Sequence, residues 1–436
     1  MTTNNAVRKN KKVISHQSLV ISRDGQSLIE VLIGLSIGAI LIGAASLGIV
    51  FILRSSTTTQ YLQSGTQFNQ DLVDRARSVA AADWADLYGL TKGTGTSYFV
   101  SASGTELIAV EGREGVLSNE IFDGLVGHWN FDEATSTATT TTFDTSGKAN
   151  HGTVASGAAT RATSTCKVSY CLNFNGLDDG VNIGNSSDYN SSAFSLSMWI
   201  KPVTIKSGDQ FNNIVMGRES YLSSGFRFGI RDSGKMLFWT NQSGGTLSLQ
   251  SNNSITTSNF YHIVVTYSGT TGIMYFNGVA DASTTGSYVV PTGVTMWING
   301  GIGGTQESNS YIDDIRWYNR ALSADDVQRL WNSTVFTRYF TIENVMRDSN
   351  GDIAASGNDD PSTQKITSYV KWPGAGTAVG QVAIVDYVTR WANRVFNQSD
   401  WSGGEGDSGV LTDPSNRYYD ATSVSNPAGS IRIEGL

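Results

Sequence analysis

The stretch GQSLIEVLIGLSIGAILIGAASLGIVFILR, from Gly25 to Arg54, decides how the rest of the chain is deployed. No charged residue occurs from Val31 to Leu53, and a helix of these 23 residues would be roughly 35 Å long. The hydrocarbon core of a bilayer is about 30 Å thick. The stretch is therefore predicted to be a membrane-spanning helix that separates a short leader from the bulk of the 436-residue chain.

The leader before this stretch is basic. Against the single acid Asp24, it carries Arg8, Lys9, Lys11, Lys12 and Arg23. Because Lys and Arg beside a membrane span keep that end in the cytoplasm, we expect a single-pass protein of the cytoplasmic membrane with its N-terminus inside and its bulk exported. A cleaved secretory signal and an ordinary signal anchor are the alternatives. A secretory signal has an apolar core of about 7–15 residues followed by its cleavage site, whereas Gly25 precedes this longer core.

The residues around Gly25 resemble the class III signal of type IV prepilins and pseudopilins. The resemblance rests on Gly25, Gln26, Ser27, Leu28, Ile29, Glu30, Val31 and Leu32. It implies a leader over residues 1–25, cleavage by a prepilin peptidase between Gly25 and Gln26, and a transmembrane and assembly helix over residues 26–54. That helix would contact the lipid bilayer and other pilin subunits. The family usually has Phe or Met at the first mature position, where this chain has Gln26.

The same resemblance makes Glu30 the fifth residue of the mature chain and an assembly residue. A charged side chain inside a bilayer costs about 2.5–3.5 kcal/mol on insertion scales. The terminal amine of a neighbouring subunit would offset that cost in a filament. The resemblance therefore implies that Glu30 helps to join one subunit to the next.

Bulk composition is typical of an exported β-rich protein. The net charge is −8, and Gly numbers 47 residues while charged residues make up only 16%. Because nothing is basic outside the leader, the composition argues against nucleic-acid binding. Long helical patterns end at about residue 90, so we expect a mainly β fold with one long N-terminal helix.

Cys166 and Cys171 lie close together in the sequence CKVSYC and are predicted to form a disulfide. An oxidising compartment would allow this short loop to close, with a stabilisation of about 2 kcal/mol. Two free thiols are the alternative in a reducing compartment. A metal site is disfavoured because no second Cys or His pair completes four ligands.

Between residues 121 and 333 the chain shows short alternating apolar runs cut by turn residues. This period of two predicts stacked antiparallel sheets. The segment resembles the laminin G-like, concanavalin A-like jelly-roll domains of lectins and glucanases. The resemblance rests on GLVGHWNFDE (Gly124–Glu133), DTSGKANHGT (Asp144–Thr153), CLNFNGLDDGVNIG (Cys171–Gly184), FSLSMWIKP (Phe194–Pro202), YHIVVTY (Tyr261–Tyr267), MYFNG (Met274–Gly278) and YIDDIRWYNRALSADDVQRLW (Tyr311–Trp331).

The segments that flank the jelly roll are predicted to form one pilin-like α+β head. Residues 55–120 would be its first part, with a helical stripe up to about Ala82 and then two strand-like runs. Residues 334–400 would be its second part, and residues 401–436 a tail rich in Gly, Ser and Asp. The jelly roll would then be inserted in a loop of the head, which requires its two ends to lie close together. Tandem domains are the alternative.

The sequence gives no catalytic residues, and we expect no enzyme. Relatives of the jelly roll that cleave glucans use paired carboxylates on one strand, and no such Glu pair occurs between Gly124 and Trp331. By resemblance to laminin G-like domains, Ca²⁺ is a candidate cofactor, with ligands from Asp178, Asp179, Asp313 and Asp314. Turn formation by these aspartates is the alternative.

These observations predict a minor pilin or pseudopilin that displays a lectin-like module for adhesion to a glycan or protein ligand outside the cell. A membrane-anchored carbohydrate-binding protein that never assembles is the first alternative. An enzyme acting on polysaccharide is the second.

Overall fold

The computed structural model describes residues 28–103, 106–134, 141–154, 160–162, 166–208, 212–220, 224–240, 247–300, 306–373 and 378–390. The chain divides into two compact units, Met1–Gln60 and Tyr61–Leu436, and each is described by itself. The predicted leader and the predicted tail, residues 1–25 and 401–436, lie outside the described residues.

Three α-helices occur in the described residues. Helix α1 covers Leu28–Ala82, α2 covers Trp84–Tyr88, and α3 covers Ala324–Trp331. Helix α1 confirms the predicted long N-terminal helix, and its first half is apolar enough to cross a membrane. It ends where Asp83 caps α2 by accepting a hydrogen bond from the Ala85 N–H. A short 3₁₀ helix covers Ser187–Tyr189.

The head is built on one antiparallel sheet that takes strands from both flanks of the inserted segment. Its seven described strands are β1 (Gly93–Ser103), β2 (Glu106–Glu111), β3 (Glu114–Leu117), β20 (Val335–Arg347), β21 (Ile353–Ala354), β22 (Asn358–Pro373) and β23 (Val379–Thr389). They run in the order β2-β1-β20-β22-β23, and β3 and β21 each pair with β20. The head is thus a sheet that the chain leaves after β3 and re-enters at β20.

The two ends of the insertion are hydrogen-bonded neighbours. Leu117 at the end of β3 lies opposite Val335 at the start of β20. The Ser118 N–H donates to the Thr334 carbonyl at 2.9 Å, and the Thr334 N–H donates to Ser118 Oγ at 3.0 Å. Because these ends meet, a whole domain fits between two paired strands without disturbing the head sheet.

The second half of α1 covers one face of the head sheet. Leu72, Ala76 and Val79 are fully buried against strands of the sheet, in a cluster that includes Phe340 and Ile366. Two turns before Leu72 the helix comes very close to β22, where a Cβ on Gly65 would lie 2.7 Å from the Trp372 ring. A glycine is therefore required at this contact.

The inserted segment forms two further antiparallel sheets. Among the described residues the first contains β4 (Leu125–Trp129), β7 (Thr160–Ala162), β8 (Cys171–Asn175), β10 (Phe194–Thr204), β15 (Tyr261–Tyr267), β16 (Thr271–Phe276), β17 (Val279–Thr285) and β19 (Asn309–Tyr318). The second contains β5 (Thr141–Thr142), β6 (Gly152–Val154), β9 (Val181–Asn182), β11 (Ile214–Ser220), β12 (Ser224–Ile230), β13 (Lys235–Thr240), β14 (Ser248–Ser254) and β18 (Trp297–Ile298). The predicted jelly-roll sandwich is confirmed.

The sandwich core lies between these two sheets. Phe194 is at its centre, with its ring 4.9 Å from that of Trp317 and 6.3 Å from that of Phe226. The apolar residues of β10 that alternate in the sequence, Phe194, Leu196, Met198 and Ile200, all lie in this core and are fully buried. Such a core supplies most of the stability of a domain of this type.

The other face of β10 is buried as well, although its residues are mostly polar. Ser195, Ser197 and Trp199 are buried as well. The reason is that α3 and the chain leading into the insertion cover this side of the sheet through a second apolar cluster, which includes Tyr318 and Val327. Helix α3 starts with a capping box, in which Ser323 and Asp326 exchange side-chain and backbone hydrogen bonds.

Candidate functional site

The residues of the predicted processing signal fall mostly outside the described part of the chain. Gly25 and Gln26 lie outside the described residues, and Glu30 lies near the start of α1, where only its backbone is described. Cleavage between Gly25 and Gln26 and the assembly role of Glu30 therefore stay predictions.

The predicted disulfide is confirmed between Cys166 and Cys171. The loop that it closes is held by a buried carboxylate, because Asp313 Oδ2 accepts hydrogen bonds from the backbone N–H groups of Lys167 at 2.9 Å and Val168 at 2.8 Å. Burial and the neighbouring charge of Asp314 raise the pKa of Asp313 well above its ordinary value. Asp313 therefore orders the disulfide loop.

Asp132 joins the same loop to the head. Its carboxylate accepts from the Tyr170 N–H at 3.0 Å and from the Gly115 N–H at 2.6 Å on β3. Burial raises its pKa well above the ordinary value, against the effect of these hydrogen bonds. Val168 fills the gap beside Gly115, where a Cβ would come within 2.1 Å of a Val168 methyl group. The disulfide loop is thus a fitted contact between the inserted module and the head.

Asp178 and Asp179 behave differently from each other. Asp178 is exposed, whereas Asp179 is buried and accepts from the Asn175 N–H at 2.5 Å. Asn299 donates to the Asp179 carbonyl at 3.1 Å. This matches the turn-forming alternative, in which a short carboxylate orders its own loop.

Asp314 belongs to a buried chain of charges. A β-bulge between β10 and β19 places it in the left-handed region, with φ of 53°, so that it and Asp313 are both buried. Its two oxygens contact Arg316 Nη1 and, at 2.8 Å, His128 Nε2. Arg316 in turn bonds Glu120 at 2.9 Å. Burial would raise the pKa of Asp314, but Arg316 and His128 outweigh it and hold the pKa below its ordinary range.

These positions do not assemble a calcium site. No group of three or more His, Cys, Asp or Glu side chains that could hold a metal ion occurs in the described residues. Protein donors already bond the carboxylates of Asp179 and Asp314 and one oxygen of Asp313. Ca²⁺ requires six to eight oxygen ligands, so the four aspartates as arranged do not fit it. Calcium binding stays a prediction, checked by thermal unfolding with and without a chelator.

Ser197 and His262 form the one serine–histidine contact that the described residues bring together in the sandwich. Ser197 Oγ lies 2.9 Å from His262 Nε2. Burial lowers the pKa of His262 to about 3, and the ring lies under Trp199, with centroids 4.9 Å apart. Because both side chains are almost fully buried, no substrate reaches this pair, and its role is in packing.

A cleft of about 470 Å³ lies where the head meets the inserted module. We call it the junction cleft. It is lined by one face of α1, by β3 with the chain that follows it, and by parts of the module and of β20. Its lining includes Gln67, Asp71, Arg75, Glu114, Asn119, Glu120, Phe122, His128, Arg329 and Arg338. His128 and Glu120 connect its wall to the buried chain of Asp314.

Sequence reasoning missed this cleft and the charges that support it. Asp132 and His128 lie in the quoted run GHWNFDE, but nothing in that run shows which partners they meet. Arg316 bonds a residue 196 positions away, and Arg338 bonds one 267 positions away. Only the folded chain brings such residues together.

Comparisons with known proteins identify two parts of the chain. Residues 22–46 match the prokaryotic N-terminal methylation motif, and residues 174–328 match the concanavalin A-like lectin/glucanases superfamily. No curated protein matches the chain.

Solved structures similar to the chain are distant. Domain 4 of the extracellular arabinanase AbnA from Geobacillus stearothermophilus is 18% identical over 48% of this chain and 98% of its own, with a TM-score of 0.39. The Trypanosoma rangeli sialidase is 19% identical over 48% of this chain and 32% of its own, with a TM-score of 0.37. At these TM-scores neither carries an argument about function. The chain thus joins a prokaryotic N-terminal methylation motif to a concanavalin A-like lectin/glucanase domain.

Proposed function

We propose that the chain is a minor pilin or pseudopilin whose inserted sandwich binds a glycan or protein ligand outside the cell, without catalysis. The observation that carries this proposal is the combination of a methylation motif, a helix that continues from the apolar segment into the head, and a lectin-type domain inserted between paired strands of that head. A cleaved signal would not need a helix that continues for a further 29 residues beyond Leu53, to Ala82.

The apolar half of α1 is suited to contacts outside its own chain. From Val31 to Leu53 its large apolar side chains are exposed by 45–74%. In lipid, neighbouring helices gain little from burying apolar surface, so packing and specific polar contacts decide whether they associate. The proposal assigns the polar contact to Glu30 and the terminal amine of the next subunit. The proposal also places the bulk of the chain on the outer side of the cytoplasmic membrane.

The first test is the cleavage step. Gly25→Ala is expected to leave an unprocessed precursor, because the peptidase of the proposed family cuts after this glycine. Gly34→Ala is the matched control, since an added Cβ there meets no atom within 4 Å, and it should be processed normally. Mass spectrometry of the membrane fraction measures both, and normal processing of Gly25→Ala would sink the pilin assignment.

The second test separates a filament subunit from a static anchor. In a filament, Glu30→Ala should abolish surface display while membrane insertion is retained, because only the contact between subunits is lost. Ser36→Ala is the control: the Ser36 hydroxyl only donates to the Leu32 carbonyl of its own helix at 2.7 Å. Unchanged display of Glu30→Ala would favour the membrane-anchored binding protein that never assembles.

The absence of catalysis is tested with polysaccharides. Incubation of the purified chain with a panel of glycans should yield no cleavage products. Release of oligosaccharides that depends on the protein would replace the binding role with an enzymatic one.

A further inference from the structure

The junction cleft has the size of a small-molecule site. Its volume of about 470 Å³ falls within the range of roughly 300–1,000 Å³ found for ligand pockets. One wall is the exposed edge of α1, which contributes Gln67 and Arg75, and another comes from the chain between β3 and β4, which contributes Asn119 and Phe122. Head and module both contribute, so neither alone would form the cleft.

The charges in the cleft balance. Its three acids, Asp71, Glu114 and Glu120, match its three arginines. Arg338 bonds Glu114 and Asp71, each at 2.6 Å, and Asp71 also bonds Arg75 at 2.9 Å. Because these ion pairs cancel, the cleft presents neither sign of charge in excess. An uncharged ligand rich in hydrogen-bonding groups is the best match.

Phe122 gives the cleft an aromatic surface. Its side chain is 74% exposed, although it directly follows the buried Ile121. Because Phe122 also lines the cleft, its exposed ring is accessible to a molecule bound there. A ring in this position offers a flat apolar face to the C–H groups of a ligand.

Two polar groups of the cleft have unused capacity. Arg329 is 55% exposed on its side chain, and its pair with Asp326 is long at 3.8 Å. Glu120 Oε2 is buried and has no hydrogen-bond partner among the described residues, while its other oxygen bonds Arg316. The cleft therefore combines a half-exposed guanidinium with a buried carboxylate oxygen that has no partner.

We infer that the junction cleft is the site where a neutral oligosaccharide binds, with a sugar ring on Phe122 and its hydroxyl groups on Arg329 and the polar wall. A sugar has an apolar C–H face and hydroxyls that both donate and accept, which is the combination that this cleft provides. The inference rests on the proposed function and deepens it, since it names the ligand class and places the site between head and module.

The experiment titrates the full chain in detergent micelles with trisaccharides. The neutral probes are cellotriose, maltotriose and arabinotriose, and the anionic probe is trigalacturonic acid. We expect at least one neutral probe to bind and the anionic probe to bind more weakly. Phe122→Ala should raise the Kd of that neutral probe roughly tenfold, and Arg329→Ala by a smaller factor.

Leu177→Ala is the matched control, because Leu177 is a similarly exposed apolar residue, at 64%, on the loop after β8 and outside the cleft. Equal affinities of Phe122→Ala and Leu177→Ala would overturn the assignment to the cleft. Preference for the anionic probe, or no binding of any neutral probe at up to about 10 mM, would overturn the ligand class. Processing and surface display, measured through Gly25 and Glu30, fail separately if the pilin role itself is wrong.

Discussion

The same apolar residue types have opposite surroundings in two regions of this molecule. In the sandwich, Leu196, Met198 and Ile200 are fully buried between two sheets of their own domain. In the first half of α1, Leu41 is 64% exposed and Ile42 is 70% exposed. A domain that folds in water closes its apolar surface itself, whereas a helix built for lipid or for sister helices leaves it open. The exposed apolar side chains therefore make the first half of α1 better suited to lipid or to contacts with other helices than to water.

The largest expected effect comes from making a cavity in the sandwich core, where the apolar side chains are buried. Trp317→Ala should lower the free energy of unfolding by about 3–5 kcal/mol, because it removes a ring that packs against both Phe194 and Phe226 and leaves a cavity. Denaturant unfolding of the chain in detergent measures this. Leu41→Ala, in the first half of α1, should leave the same transition unchanged. Equal effects of the two variants would contradict the difference in burial between the sandwich and this half of the helix.

The next effect concerns the buried charges of the sandwich around Asp314. Asp314→Asn should cost about 3 kcal/mol at pH 7, because it leaves Arg316 with one carboxylate fewer in a buried place. Since the pKa of Asp314 is below its ordinary value in the fold, its stabilisation is complete above that ordinary value and is lost as the pH falls below it. The difference in unfolding free energy between wild type and variant should therefore shrink from pH 7 to pH 2.

The exposed Asp178 supplies the control for this measurement. Asp178→Asn should change the unfolding free energy by less than about 0.5 kcal/mol at either pH. A difference between wild type and Asp314→Asn that stays constant over the pH range would contradict the pairing with Arg316 and His128.

The first half of α1 is tested by placing a charged residue in it, which a bilayer disfavours. Leu41→Lys should disfavour membrane insertion by about 2.5–3.5 kcal/mol, and the fraction of chain recovered in the membrane should fall. The sandwich should unfold at its usual denaturant concentration, because Leu41 lies outside that unit. Full insertion of Leu41→Lys would show that this half of the helix does not meet the hydrocarbon core.

The smallest effect concerns the link between module and head. Replacing Cys166 and Cys171 together by Ser should cost about 2 kcal/mol, since it removes a short covalent loop while Asp132 and Asp313 keep their backbone partners. Reduction of the wild type should produce the same shift in the unfolding midpoint, and the double variant should then be insensitive to reductant. A loss of unfolding free energy as large as that of Trp317→Ala would mean that the fold of the whole inserted module depends on the disulfide.

Some of the fold followed from local patterns. The alternation around Phe194 predicted a core strand because successive side chains of a strand point to opposite faces. The start of α3 at Ser323 also follows a local pattern, because a short polar side chain can satisfy free N–H groups of a first turn. The burial of Ser195 and Ser197 was not predictable, since it depends on what covers the outer face of the sheet.

The candidate site followed only in part. Cys166 and Cys171 were predictable as a pair because they are close in the chain. The hydrogen-bond and ion-pair partners that Asp313 and Asp314 have in the fold were not predictable. The reason is that a β-bulge between β10 and β19 allows the consecutive residues Asp313 and Asp314 both to be buried, and a bulge leaves no mark in the periodicity.

By itself the sequence determined that an uncharged segment of membrane-spanning length precedes a β-rich bulk, because such a segment has few stable environments other than a bilayer or a helix bundle. The tertiary structure alone decided that Leu117 and Val335 pair across the inserted domain, and that the junction cleft exists. The physical reason is distance along the chain: contacts between residues hundreds of positions apart depend on how completed sheets and helices pack, and no local pattern encodes that packing.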